Sequence, residues 1–399
     1  MPQITRMPNG TPDSEPAILQ IVPSLDTGGA ERTTIDIAKA LRASGIRALV
    51  VSEGGRLEPE LSAAGGEVIR LPASSKSPLT IWRNAGALAK IIRERNVMLI
   101  HARSRAPAWS ALIAARRTGI PFVTTYHGIY NAKGPLKRWY NSVMVRSDAV
   151  IANSQWTADH ILSTYAIARN RLTTIPRGLD LQQFDPRNVA PERIAALRQS
   201  WGARAQERVV LLPGRLTRWK GQTVFLKALG ELNRNCRLPS DVRAVIAGDA
   251  QGRDEYANEL KAGIAIEELT EKVVLAGHIT DMPAAYLAAD IVISASTDPE
   301  AFGRIPPEAA AMGRPIIATD HGGSRETVLP GKSGLLVKPN SARALGRALS
   351  DLLALPRADL ARMGAAGRAH VAANFTVERM CAATLNLYAT LIERHARGA

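Results

Sequence analysis

Ten short apolar runs, each followed by a stretch with helical spacing, restrict this chain to a parallel α/β architecture. Ala17 to Pro23 is the first, followed by a glycine turn and then Thr33 to Ala43 with an apolar face. Arg47 to Ser52, Val97 to His101, Pro121 to Tyr126 and Asp148 to Ala152 continue the series. A second series comprises Val209 to Leu212, Arg243 to Ala247, Val273 to Ala276, Ile291 to Ser294 and Pro315 to Ala318. Between the two lies Leu179 to Pro191, where Asp, Pro, Asn and Gln cluster without periodicity, as in a domain linker. The expectation is two doubly wound domains, 17–185 and 191–376, after a polar, proline-rich disordered leader, 1–16. At 399 residues the chain exceeds the usual size of one core, in line with that division. Val377 to Arg394 forms a long amphipathic helix, and the segment 377–399 either packs on the second domain or crosses back to the first.

Composition narrows the function classes. With 46% hydrophobic and 22% charged residues the chain is globular, and no apolar run approaches the ~18 residues of a spanning helix. The leader has neither the basic start nor the apolar stretch of a secretory signal. Cys236 and Cys381 are isolated from one another, which suggests a reducing compartment rather than a disulfide framework or a zinc cluster. The net charge of +15 is unevenly spread: between Leu71 and Ser147 there are thirteen Lys or Arg and one acid, Glu94. Such a field attracts phosphate-bearing partners: an anionic bilayer, a lipid-linked glycan or nucleic acid.

In open α/β sheets ligands bind at the carboxyl ends of strands, so chemistry is expected in the loops that follow the apolar runs, facing an interdomain cleft. Asp298-Pro-Glu-Ala-Phe-Gly-Arg-Ile-Pro-Pro-Glu308 is such a loop. Gly303 permits close backbone approach, and Pro306 and Pro307 suit a helix start whose free N–H groups face an anion. Glu300 and Glu308 can accept hydrogen bonds from sugar or ribose hydroxyls beside it; alone, each would read as a helix-dipole or solvated acid. Pro213-Gly-Arg-Leu-Thr-Arg-Trp-Lys-Gly221 is the second loop, where Arg215 and Lys220 could clamp a diphosphate as charge develops on it. Arg218 reads as solvated.

With Gly28-Gly-Ala-Glu-Arg32 and Gly322-Gly-Ser-Arg-Glu326, these loops resemble the retaining family-4 glycosyltransferases of the GT-B fold, two Rossmann-like domains facing a cleft. The likeness covers nearly the whole chain, and Glu300 and Glu308 at the Glu-x7-Glu spacing are its most specific element. The resemblance implies that Arg215 and Lys220 bind the donor diphosphate, Glu308 the nucleotide ribose and Glu300 the transferred sugar, with the Phe302 and Gly303 backbone against that sugar. Gly28 and Gly29 map onto the family's N-terminal glycine loop near the phosphates and acceptor, although spacing alone also fits a tight turn. His127, in Thr125-Tyr-His-Gly128, matches a position where backbone and imidazole approach the donor sugar, and Asn153-Ser154 a position lining the cleft. Retention of configuration is implied by the resemblance alone. The resemblance further implies that Glu300 positions the sugar rather than attacking it, while departing phosphate assists deprotonation of the acceptor.

Arg304 departs from the family pattern, which carries a smaller or apolar residue there; it either reaches an anionic group or is a surface arginine. Arg103 and Arg105, after the Val97 to His101 run, are candidates for docking an anionic acceptor. No Asp-x-Asp motif occurs, so the nucleotide-diphosphate sugar is expected as co-substrate without a metal or other cofactor. Aromatics and cations interleave from Ile129 to Arg146, which suits a membrane interface and equally an amphipathic helix with Trp139 and Val143 packed on the sheet. The expected enzyme is a metal-independent hexosyl-type transferase using a cell-envelope glycan or lipid-linked acceptor, such as lipopolysaccharide core, at the cytoplasmic face of the inner membrane. The alternatives are a sugar-nucleotide epimerase, a transferase on a soluble acceptor, and a basic nucleic-acid-binding or regulatory protein with an inert nucleotide cleft. No helix-turn-helix signature or aromatic stacking motif favours the last, so nucleic acid is not an expected partner.

Overall fold

The computed structural model describes residues 15–26, 28–130, 134–167, 169–252 and 254–398. The chain divides into two compact units, one of Met1–Gly178 with Val377–Ala399 and one of Leu179–Thr376. The expected leader falls almost wholly outside the described residues.

The first unit is built on seven strands: β1 (Ala17–Ile21), β2 (Arg47–Ser52), β3 (Gly66–Arg70), β4 (Val97–Ala102), β5 (Phe122–Tyr126), β6 (Ala149–Ala152) and β7 (Leu172–Thr174). They are parallel throughout, in the order β3-β2-β1-β4-β5-β6-β7. Every residue of β1 is buried, and its side chains alternate between the two faces. Ala17, Leu19 and Ile21 join the core on one side, and Ile18 the core on the other. That is why the run reads as continuously apolar: a parallel sheet covered by helices on both faces has no wet side. Each fully buried Leu or Ile contributes about 1.5–3 kcal/mol relative to an exposed one.

The second unit repeats the plan with β8 (Arg208–Pro213), β9 (Val242–Ala247), β10 (Val273–Gly277), β11 (Ile291–Ser294), β12 (Ile316–Thr319) and β13 (Gly334–Val337), in the order β10-β9-β8-β11-β12-β13. Val210 and Leu212 of β8 point into one core, Val209 and Leu211 into the other. In each unit the winding reverses between the first and fourth strands, at β1/β4 and at β8/β11. These switch points are where a doubly wound sheet opens a crevice.

The segment expected to be a linker belongs to the second unit instead. Leu179, Phe184 and Val189 are buried in its core beside Trp201 and Tyr286, and Asp185 is bound by Arg187 and Arg368. Turn-forming residues gave the segment a linker's composition; three buried apolar side chains make it structure. The C-terminal helix, Val377–Gly398, is part of the first unit. Tyr388 is fully buried, its hydroxyl 2.5 Å from His101 Nδ1, and the Cys381 thiol donates to the Asp36 carbonyl at 3.5 Å. Among the described residues no helix is long and apolar enough to cross a membrane.

Candidate functional site

In the second unit, the chain leaves β8 through Gly214 and Arg215, makes one 3-10 turn over Arg218–Lys220, and enters the helix Gln222–Arg234 at Gly221. Gly221 has φ +77°, and a Cβ there would lie 1.9 Å from the Ala295 carbonyl oxygen. Only glycine lets this turn rest on the segment leaving β11. The contact is completed by Thr297 N–H, which donates to the Trp219 carbonyl at 2.7 Å. Lys220 Nζ is thereby brought to Glu300 Oε1, 2.8 Å away, and the Ser296 hydroxyl donates to the same oxygen at 2.5 Å. The Lys220 and Glu300 side chains are only 10% and 17% exposed, and the ammonium also sits 4.5 Å from the Trp219 ring centroid. Arg215 is exposed and forms no ion pair among the described residues, while its carbonyl accepts from Gln222 Nε2.

Glu308 lies in the first turn of the helix Ile305–Ala311 and is buried. The Tyr286 hydroxyl donates to Oε2 at 2.8 Å, and Arg304 pairs with Oε1 at 2.7 Å. Burial, with the Glu308 carboxylate beside it, pushes the Tyr286 hydroxyl well above the usual phenol range, so it remains a donor. Arg304 is thus engaged with Glu308, and a ribose at Glu308 would compete with it.

The loop after β12 presses on the Glu300 segment. Gly323 N–H donates to the Glu300 carbonyl at 2.9 Å, and a Cβ on Gly322 would meet that carbonyl oxygen at 2.2 Å. A Cβ on Gly323 would stand 2.2 Å from the Phe302 carbonyl oxygen. The Phe302 ring is core, edge-on to Phe375 at 5.7 Å, while Gly303 takes φ +75° as the chain turns into the helix. His321 Nε2 and the Thr319 hydroxyl both donate to the Ser296 carbonyl.

In the first unit, the switch point gathers Gly28 and Gly29 after β1, Arg103 after β4 and His127 after β5. Gly28 has φ 164°, extended backbone that any residue adopts, and caps the helix Gly29–Ala43. The close approach is at Gly29, where a Cβ would lie 2.2 Å from a guanidinium nitrogen of Arg177. Arg177 Nη2 is 3.2 Å from His127 Nδ1, and Arg103 Nη1 is 3.5 Å from Nε2. Desolvation, then Arg177 and Arg103, hold the imidazole well below its ordinary pKa. The Asn153 amide donates to the His127 carbonyl at 3.4 Å, and Ser154 caps the helix Gln155–Thr164 by accepting from Thr157 N–H.

The two arginines expected to dock an acceptor both have partners within the first unit. Arg103 is 2% exposed, with Nε and Nη2 both donating to Gln20 Oε1 at 3.1 and 2.6 Å, so it is committed to the interior. Arg105 donates to Asn141 Oδ1 at 2.9 Å and lies over the Tyr130 ring at 4.2 Å. Sequence reasoning missed Arg177, Ser296, Tyr286 and Gln20. Arg177 follows a proline in a run with no charge pattern, and the others are polar residues whose partners are distant in sequence.

Between Ile129 and Arg146 the described residues form a seven-residue helix, Pro135–Asn141, and a 3-10 turn, Ser142–Val145. Val143 is fully buried, but Trp139 is 56% exposed and packs on Trp109 with ring centroids 4.8 Å apart and planes tilted by 30°, with Arg146 over both rings. Leu136 is exposed in the same helix, and Leu79 and Trp82 at the start of the helix Pro78–Glu94.

The sequence profile described as Glycosyltransferase Family 4 matches residues 27–183, and that described as Glycosyl transferases group 1 matches residues 194–370. A D-inositol 3-phosphate glycosyltransferase of Xylanimonas cellulosilytica is 31% identical over 71% of this chain and 69% of its own length. A GDP-mannose-dependent alpha-(1-6)-phosphatidylinositol monomannoside mannosyltransferase of Mycolicibacterium smegmatis is 30% identical over 78% of this chain and 81% of its own. Among solved structures, a glycosyltransferase from Rickettsia africae superposes with a TM-score of 0.87 at 35% identity, covering 95% of this chain and 99% of that one. Anabaena HepE in complex with UDP and glucose superposes with a TM-score of 0.80 at 26% identity, covering 94% and 99%. With two parallel Rossmann-like sheets and matches across both units, the chain belongs to the family-4 glycosyltransferases and has their GT-B fold.

Proposed function

We propose that this transferase moves a sugar from a nucleotide-diphosphate sugar to an anionic cell-envelope glycan or lipid-linked acceptor, with retention of configuration and without a metal. The observation that carries the reading is the Lys220–Glu300–Ser296 cluster at the carboxyl end of β11, with Glu308 held by Tyr286 nearby in sequence. In it Lys220 and Arg215 take the diphosphate, Glu308 the ribose, and Glu300 a sugar hydroxyl, with the Gly303 backbone against the sugar. As the bond from the anomeric carbon to the diphosphate oxygen breaks, an acceptor oxygen bonds to the same face, and its proton passes to the departing phosphate. The cations stabilise the leaving charge. The GDP-mannose-dependent relative and the HepE complex with UDP and glucose support a nucleotide-sugar donor, and the inositol-phosphate and phosphatidylinositol relatives support an acceptor that carries phosphate.

The exposed Trp82, Trp139, Leu79 and Leu136, clad by Arg117 and Arg146, support contact with an anionic membrane surface at its cytoplasmic face. A second reading, a soluble phosphorylated acceptor, is favoured by the inositol-phosphate relative. Donor hydrolysis across UDP-, GDP-, ADP- and CMP-linked sugars, with and without chelator, tests the core of the proposal. Turnover of one donor that survives chelation and is lost in Glu300→Ala and Lys220→Ala supports it; absence of binding to every donor refutes it. Salt-sensitive sedimentation with anionic vesicles, reduced in Trp82→Ser, Trp139→Ser, separates the lipid-linked from the soluble acceptor.

A further inference from the structure

The groups described around the His127 ring are neutral or positively charged. Arg177 Nη2 faces Nδ1 at 3.2 Å and Arg103 Nη1 faces Nε2 at 3.5 Å. Both arginines are fixed: Arg103 by its two bonds to Gln20, Arg177 by its seat against Gly29. A cavity of about 20 Å³ beside the ring, room for about one water, is lined by Thr33, Thr125, Asn153 and Thr384 besides the two arginines, with no carboxylate among the described residues of its walls. His101, the neighbouring imidazole, has its nitrogens on Tyr388 and Thr125 and is itself held uncharged by burial, with Arg103 and His127 adding to it. On the other elements, Asp36 acts on Arg103 and Cys381, and Glu31 lies against Gly28.

Guanidinium groups only donate. A protonated imidazole would turn two N–H groups toward two guanidiniums and place a third positive charge in a pocket whose described walls hold no carboxylate. A neutral ring satisfies one contact, and the shorter one makes Nδ1 the acceptor. We infer that Arg177 is a positioning residue that makes His127 Nδ1 an acceptor and so leaves the proton on Nε2, while the charge of Arg103 adds to holding the ring as a neutral imidazole that does not transfer protons. Burial of the ring acts in the same direction. The inference deepens the transferase reading and rests on it only for which ligand His127 meets. It also gives Gly29 a role distinct from phosphate contact: the missing Cβ is what admits the Arg177 guanidinium.

The test is nuclear magnetic resonance of the full chain labelled at its seven histidines, titrated from about pH 8 to about pH 5, with His127 assigned through His127→Gln. No substrate enters this measurement, so its outcome is independent of whether any donor is turned over. Wild-type His127 should stay neutral with the proton on Nε2 throughout. In Arg177→Gln its pKa should rise by ~1 unit or more, with a matching new inflection in the pH profile of kcat/KM where donor turnover is found. Arg177→Lys, which keeps the charge, should leave the ring neutral and serves if Arg177→Gln does not fold. Titration of wild-type His127 near its ordinary value, a proton on Nδ1, or an unchanged His127 pKa in folded Arg177→Gln would overturn the inference.

Discussion

The Lys220–Glu300 pair lends itself to a double-mutant cycle, because each partner keeps one other contact when the pair is broken. Removing one member of a fully buried ion pair costs about 3–5 kcal/mol, since the other charge is stranded. Here the side chains are 10% and 17% exposed, so some water reaches them, and ~2–3 kcal/mol is expected for Lys220→Met. Glu300 would retain the Ser296 hydroxyl. Glu300→Gln should cost less, ~1–2 kcal/mol, because the ammonium keeps the Trp219 ring, a contact of about 0.5–2 kcal/mol. The double variant leaves no stranded charge, so it should be milder than the sum by about 1.5–2.5 kcal/mol. Hydrogen exchange of β8 and β11 amides in the full chain measures opening of the second unit by itself. Costs additive within about 0.5 kcal/mol would refute a coupled pair and remove the reason for Lys220 and Glu300 to act together.

Further outcomes follow from single contacts. Tyr286→Phe strips one hydrogen bond from a buried carboxylate and should cost ~1.5–3 kcal/mol in the same exchange experiment, with weakened nucleotide binding. Gly323→Ala should cost about 1–3 kcal/mol or more, since the added Cβ meets backbone of Phe302 that no side-chain rotation relieves; unchanged exchange around Glu300 would contradict this. The Cys381 thiol is pushed up to about 12 by burial, so near pH 8 it is protonated and covered while Cys236 is exposed. Mass spectrometry after alkylation should find one adduct on the native protein and two on the unfolded one. His101 is neutral in the folded first unit with its pKa depressed, so the unfolded state binds the extra proton as pH falls below ~6.5. Stability should therefore drop on acidification by up to ~1.4 kcal/mol per pH unit from this residue, a slope that His101→Gln should flatten.

The two-sheet architecture is legible in the residues alone, through the central strands. β1, β2, β5, β8 and β11 are buried on both faces, and continuous apolar runs are the signature of that burial. The sequence also put the candidate residues in loops at the carboxyl ends of strands, because glycines with special backbone geometry and paired carboxylates survive as local patterns. The strands it missed, β3, β7 and β13, all lie at sheet edges. Their sequences, Gly-Glu-Val-Ile-Arg, Leu-Thr-Thr and Gly-Leu-Leu-Val, are short and partly exposed, so the apolar signal fades where one side meets solvent. Tertiary structure alone decided that Leu179, Phe184 and Val189 anchor their segment in the second unit and that the last helix packs with the first unit through Tyr388. It alone turned Arg103 inward, paired Arg304 with Glu308, and set Arg177 against His127 from fifty residues away. The physical reason is common to all of these. A charged or turn-forming side chain has no periodicity of its own, and its role is fixed by whichever partner the fold brings within hydrogen-bond reach.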